Sequence, residues 1–376
     1  MTSRLAFAVL TVLVAASSAA AQDIKTILSR LSAFDYATRM DAARTLRRLP
    51  GPEVVPALTE AARSHADQFV RYRTLVLLTG FRDPGTPQLM QSLIRDRNDR
   101  VREVVYRWYE QHPDPRSVPG LLAALETEQA EFVRPALVRA LAAHDDNAAV
   151  QRALLAETAR GLDFFRSAVV ETLGEHKAMY AVDAIARLAA VDGPTQDDAV
   201  LALARIGARQ WVPLIKELML AADAVPARHA ALCLLDDDCP AQIIALSATL
   251  RNANAAPAVT RAAAMALGAI AEEGHDSALA ALLTLSGQTS GRIRDEVAAA
   301  FASAAISAPE TTVTWIDASA DRRAAAAELL RAGFELLEED FAEEQFYATL
   351  RAAYWGAPES SPTRTITAAL IDRLEF

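Results

Sequence analysis

The sequence is poor in the residues that sheets prefer and in the residue that most loosens helices. Only 6% of its 376 residues are aromatic and glycine occurs 14 times, while alanine is abundant. Such a mixture favours helices and close helix packing and leaves little material for strands, so the expected class is all-α. Catalytic signatures are missing too: there is no Gly-rich phosphate loop, no HExxH and no GxSxG. Cysteine is confined to Cys233 and Cys239, neither of them near the N-terminus, which argues against a lipid-anchored form. After the first residues, no segment is apolar for the ~20 positions that a membrane-spanning helix needs.

The N-terminus itself carries Arg4, an apolar run from Leu5 to Ala16, and then Ser17-Ser18-Ala19-Ala20-Ala21. That order of basic, apolar and small residues is the pattern of a secretory signal peptide over residues 1–21, with cleavage expected between Ala21 and Gln22. An exported protein, periplasmic or extracellular, is the corresponding expectation.

The net charge of −10 argues against non-specific nucleic-acid binding as the main task. Charge is unevenly spread. Between Arg39 and Arg116 there are 14 arginines and no lysine against 10 acids, whereas from Asp317 to the end 6 basic residues face 12 acids. A basic front and an acidic tail are expected.

Arginine also keeps time. Arg39, Arg71, Arg102, Arg134, Arg166, Arg228, Arg261, Arg294 and Arg323, with Asp197 in the same register, follow one another at steps of 29 to 33 residues. A steady period in this range marks a stacked repeat. Apolar residues stand three, four and seven positions past the anchors, as in Leu137, Val138 and Leu141 after Arg134, or Val169, Val170 and Leu173 after Arg166. That spacing is one buried stripe of a helix starting near the anchor. A second helix is expected in each unit, its start marked by Pro56, Pro87, Pro119 or Pro213. Acids just before the anchors, such as Asp67, Asp99, Glu131 and Asp163, are expected to pair with them along the helix.

Segments such as Asp99-Arg100-Val101-Arg102-Glu103-Val104-Val105 and Glu131-Phe132-Val133-Arg134-Pro135-Ala136-Leu137 resemble HEAT repeats, and the short period resembles the HEAT-like repeats of phycobilisome lyases. The resemblance covers roughly residues 35–335. It implies a right-handed α-solenoid, a superhelix of about ten helical hairpins, and most such arrays act as scaffolds that hold another macromolecule. The expected organisation is a signal peptide at 1–21, a repeat array at 22–335 and a helical cap at 336–376. HEAT-like enzymes set tests that the chain does not meet. The hydroxylases of that fold bind iron through His-Glu pairs, and no histidine here precedes a glutamate. An exported acidic protein does not suit the chromosomal substrate of HEAT-like DNA glycosylases. Export also removes the usual substrate of phycobilin lyases.

No catalytic, metal or cofactor site is assigned from the sequence. His112, His144 and His176 are 32 residues apart and should form a row along the turns, too widely spaced to share one ion. Cys233 and Cys239 flank a turn where a disulfide is open, as is a pair of unpaired thiols with Cys233 filling a small packing site. Arg71, Arg73, Arg102 and Arg107 are candidates for binding a protein partner, one of acidic character, and equally for structural ion pairs. Opposite charge at the two ends leaves self-association open. A lyase-like enzyme or a carrier of small ligands between repeats is the alternative to the scaffold, and a self-assembling structural protein is the third reading.

Overall fold

The structure is a computed structural model and describes residues 23–221, 225–337 and 340–374. The expected cleavage pair, Ala21 and Gln22, lies outside them. The described residues form α-helices and short 3-10 turns and contain no strand. Residues 23–30 are helical (α1), and hairpins follow. The first helices of the hairpins are α2 (Tyr36–Arg48), α4 (Gln68–Thr79), α6 (Asp99–Gln111), α8 (Arg134–Ala142), α10 (Asp163–Glu175), α12 (Gln196–Ile206), α14 (Pro226–Leu234), α16 (Pro257–Glu272), α18 (Gly291–Ser307) and α20 (Arg323–Leu337). Their second helices are α3 (Gly51–Ser64), α5 (Thr86–Leu93), α7 (Val118–Thr127), α9 (Ala148–Glu157), α11 (Val182–Ala189), α13 (Val212–Ala221), α15 (Cys239–Arg251), α17 (Asp276–Gln288) and α19 (Pro309–Asp317). Two further helices, α21 (Asp340–Gly356) and α22 (Pro362–Leu374), end the chain.

Every anchor arginine, and Asp197, falls within the first turn or two of an even-numbered helix, as the period predicts. The apolar stripes are buried: Leu46, Leu75, Leu78, Tyr106, Leu137, Leu141, Leu173, Val200, Phe301 and Leu330 are almost wholly shielded. Each such leucine contributes about 1.5–3 kcal/mol. Met265 departs from the pattern and lies exposed at 64%. In α16 the buried set is Thr260, Ala263, Ala264, Ala266, Leu267, Gly268, Ala269, Ile270 and Ala271, and position 265 turns outward.

One helix start is corrected. Pro87, Pro119 and Pro213 sit at the second position of α5, α7 and α13, but α3 begins at Gly51, and Pro56 lies inside it. Pro52 already occupies the first turn, and burial of Val54, Leu58, Ala61 and Ala62 continues the apolar face past Pro56. Packing of that face outweighs the hydrogen bond that Pro56 cannot donate.

The described residues divide into two compact units, one ending at Trp108 and one beginning at Tyr109. In the second unit, consecutive even-numbered helices pack side by side at small residues. A Cβ placed on Gly174 of α10 would lie 2.6 Å from the Cα of Ala202 on α12, so only glycine permits this approach. At the end of the unit, Phe346, Tyr347, Leu350, Ile366 and Leu370 of α21 and α22 join the core formed by α16 to α20. Phe334 meets Phe346 edge to face at 5.3 Å. The last two helices therefore cover the final hairpin's apolar face.

Candidate functional site

Five of the anchor arginines share a task. The last carbonyls of a helix have no partner within it, and a cation there also suits the helix dipole. Arg39 Nη1 donates to the carbonyls of Ala33 and Phe34, each at 2.8 Å, just beyond α1. Arg71 Nε donates to Ala62 O at 3.0 Å in the last turn of α3, and Arg102 Nη1 to Asp96 O at 2.8 Å after α5. Arg228 Nη1 donates to Leu218 O at 2.6 Å in α13, and Arg323 Nη2 to Asp317 O at 3.4 Å at the end of α19. Each such arginine binds a carbonyl in the last turn of the helix before its own or in the loop that follows it, and so ties one hairpin to the next.

Of the ion pairs expected within the first turn, that between Arg166 and Asp163 forms. Asp67 instead accepts from Phe69 N at 2.8 Å and caps α4, while Arg71 pairs with Asp96 in the next hairpin. Arg134 pairs with Glu157 at 3.0 Å and lies 3.9 Å over the Phe165 ring. Arg71 reaches forward between repeats because the neighbouring acid is already committed to the helix N-terminus.

The opposite ends of the even-numbered helices carry a different arrangement. Arg139 of α8 contacts Glu175 and lies 3.5 Å from Glu171, both on α10. Arg205 of α12, its side chain 3% exposed, reaches Glu175 at 3.3 Å, Glu272 of α16 at 2.8 Å and Glu273 at 3.8 Å. Lys177 completes the row at 3.2 Å from Glu273, and Ser303 Oγ of α18 donates to Glu272 at 3.3 Å. Arg205 thus bypasses α14, whose 9 residues stop short between the 11 of α12 and the 16 of α16. Burial pushes the Glu272 carboxyl above its usual value; Arg205 pulls it back and Glu171 adds to the push.

Left-handed turns set this edge. Lys177, Gly207, Asp236 and Gly274 have φ of 52°, 83°, 57° and 89°, and each follows an even-numbered helix. After α14, Asp236 and then Asp238, also left-handed at 53°, reverse the chain. The reversal brings Cys239, the first residue of α15, back onto Cys233, and the two are joined as a disulfide. Gly274 does the same one repeat later and leaves His275 just ahead of α17, with Nδ1 3.9 Å from Cys239 Sγ. Cys233, Cys239 and His275 hold their donor atoms within 4.8 Å of one another. The sequence reading assigned no metal ligands and missed this trio. The available signal was that residues 239 and 275 open the second helices of successive repeats.

The histidine row stands where expected, in the turns after α6, α8 and α10, and its members differ. His176 Nε2 lies 3.7 Å from Glu110, whereas His144 is buried and its imidazole is pushed below its ordinary value by that burial, against Asp146 and Asp114. Of the four candidate docking arginines, Arg71 is held by Ala62 and Asp96, and Arg102 by the Asp96 and Arg97 carbonyls. Arg73 is buried against Met40, and Arg107 pairs with Glu103 at 3.1 Å. Exposed rings stand elsewhere. In the second unit Phe132 and Phe164, each two residues before its anchor, are 48% and 66% exposed, with Leu162 open as well. In the first unit Phe34, Tyr36 and Phe69 are exposed around Arg39, whose guanidinium lies 5.7 Å from the Tyr36 ring and 5.6 Å from the Phe69 ring. No helix of the described residues is long and apolar enough to cross a membrane.

Helical hairpins in series, tied to their neighbours by arginines, define an α-solenoid protein. Residues 86–160 match the family model for HEAT repeats and residues 38–64 that for the PBS lyase HEAT-like repeat. No curated protein matches it in sequence. Among solved structures, YibA of E. coli is 16% identical with a TM-score of 0.43, over 57% of this chain and 82% of that one. The CpcE–CpcF complex of phycocyanin lyase from Nostoc sp. PCC7120 is 19% identical with a TM-score of 0.29, over 84% of this chain and 94% of that one. Kap121p bound to Nup53p is 13% identical with a TM-score of 0.31, over 94% of this chain and 45% of that one.

Proposed function

We propose that this protein is an exported HEAT-repeat scaffold that holds a protein partner along its repeat surface. The observation that carries the reading is the edge formed by Phe132, Leu162 and Phe164. Two rings recur at one register in successive repeats, exposed at 48% and 66%, and Leu162 near the second is 64% exposed. Exposed apolar side chains repeated along one edge are what a docking surface offers. Arg71, Arg73, Arg102 and Arg107 are the other candidate face, and an acidic partner would engage it only by competing with the internal contacts those side chains already make. Export rests on the composition of residues 1–21, and the disulfide-bonded pair suits an oxidising compartment.

The test is chemical crosslinking of the full chain in its native cell, comparing wild type, the triple variant Phe132→Ser, Leu162→Ser, Phe164→Ser, and a variant with Arg102 and Arg107 changed to Glu. A specific crosslinked protein lost only in the triple variant supports the aromatic edge. Loss only in the arginine variant transfers docking to the basic face, and the same crosslinks in all three overturn both surfaces. Export is checked on the same samples: mature protein beginning at Gln22 supports it, and intact Met1 in the cytoplasmic fraction overturns it.

A second reading has one observation in its favour. A cleft of about 290 Å³ in the first unit is lined by Ser32, Ala33, Phe34, Arg39, Asp67 and Phe69. Rings, a cation and a carboxylate around one hollow suit a small aromatic ligand, as a lyase-like protein or carrier would require. Turnover or a stoichiometric bound small molecule in the purified native protein would replace the scaffold reading with this one.

A further inference from the structure

We propose that Cys233, Cys239 and His275 form a reduction-dependent site for one soft d10 cation, either Zn(II) or Cu(I). Two sulfurs and an imidazole nitrogen make a donor set selective for such ions over hard cations. The three donors come from the end of α14, the start of α15 and the start of α17, and they lie within 4.8 Å of one another. Ligands of one zinc ion, at about 2.3 Å for sulfur and 2.1 Å for nitrogen, lie roughly 3.5–4 Å apart, so the two sulfurs, bonded to each other here, separate on reduction while side-chain rotation brings His275 into place.

Access and surroundings fit the assignment. Cys233 is wholly buried, whereas Cys239 and His275 are partly exposed, so a cation reaches the trio from one side and keeps a position for water or an incoming ligand. Asp236, Asp237 and Asp238 surround the turn with negative charge, moderated by Arg209 on Asp236 and Lys216 on Asp237. His275 precedes α17 without donating or accepting a side-chain capping bond there, so the helix start does not compete for its ring.

In the oxidised protein the sulfurs are bonded to each other and bind no ion. A dithiol reductant breaks the S–S bond, supplying two electrons and two protons and becoming a disulfide itself. Cation binding then forms two sulfur–metal bonds and one nitrogen–metal bond, and the two thiol protons leave to solvent. The pair would thus report redox state as metal occupancy, at the short hairpin that Arg205 bridges.

The experiment is equilibrium dialysis of the full chain, oxidised or reduced under argon, against Zn(II) and separately against chelator-buffered Cu(I). Thiols are counted in parallel, and circular dichroism checks folding. The expected result is one equivalent of at least one cation on the reduced protein, none on the oxidised protein, and affinity lowered by at least about tenfold in His275→Ala. Cys239→Ser should abolish binding. Because the partly exposed His275 bears no capping bond, His275→Ala should fold normally and keeps the test decisive even if a cysteine variant does not. The proposal is overturned if the reduced chain binds neither ion stoichiometrically, if the oxidised chain binds equally well, or if His275→Ala leaves affinity unchanged. Preference between the two ions identifies which cation the site takes.

Discussion

The two ends of the even-numbered helices use the same chemistry for different purposes. At their starts, several of the recurring arginines tie themselves to a carbonyl or an acid of an adjacent hairpin, as Arg71, Arg102 and Arg228 do. At their far ends, the row Arg139, Glu175, Arg205, Glu272 and Glu273 crosses several hairpins and passes over one of them. The first arrangement is what stacking itself requires, since each helix leaves unpaired carbonyls at its end. The second depends on α14 being short. Contacts that serve stacking recur along the period, whereas the Arg205 row forms where one helix is shortened.

Breaking the starts should cost most. Arg228 is 6% exposed and holds Leu218 O, Gln196 Oε1 and Asp197 Oδ1. Arg228→Ala leaves those acceptors without their cation, and a loss of about 3 kcal/mol is expected in urea unfolding of the full chain. A loss below about 0.5 kcal/mol would mean that water replaces the clamp and that stacking does not rely on it.

The ladder should come second. Arg205→Met keeps apolar volume but leaves Glu175, Glu272 and Glu273 facing one another, and about 2 kcal/mol should be lost near neutral pH. Adding Glu272→Gln should restore part of it, because one uncompensated charge disappears. The wild-type Glu272 carboxyl should titrate above 4.5 by NMR. A group that holds its proton more tightly when folded stabilises the fold while protonated, and this contribution fades as pH rises through the folded midpoint. Glu272→Gln should therefore remove the part of the stability curve that declines above the unfolded value of 4.5.

This contrast also explains what was legible in the sequence. The anchors and the buried stripe could be read because Arg134 with Leu137, Val138 and Leu141 repeats in Arg166 with Val169, Val170 and Leu173. The forward reach of Arg71 to Asp96 could not, because helix spacing places Asp67 nearer along the chain and does not show that Asp67 is occupied with Phe69 N. The Arg205–Glu272 pair spans 67 residues and skips a repeat, so no periodic argument finds it. Cys233 and Cys239 were visible as neighbours across a turn, but His275 joins them where Gly274 and Asp236 turn left-handed at corresponding places.

Within the histidine row the effect should be smaller. Burial keeps His144 neutral more readily than the unfolded chain does, so its contribution to stability is complete above the ordinary value of 6.5 and is lost as pH falls through its lower folded value. His144→Gln should flatten the acid side of the thermal-stability profile below pH 6.5. Equal slopes in wild type and His144→Gln would assign the acid loss to other groups.

The smallest effect is expected where ion pairs serve neither end. Arg331 on α20 meets Glu328 at 2.9 Å and Glu335 at 2.7 Å, and these partners hold its guanidinium value above the ordinary one. All three side chains are 39–66% exposed, so water competes for each contact and salt screens the pairs. Arg331→Ala should therefore change unfolding free energy by no more than about 0.5 kcal/mol, with that difference disappearing in high salt. A loss as large as that of Arg228→Ala would show that number of partners, and not burial of the acceptors, decides which arginines hold the repeats together.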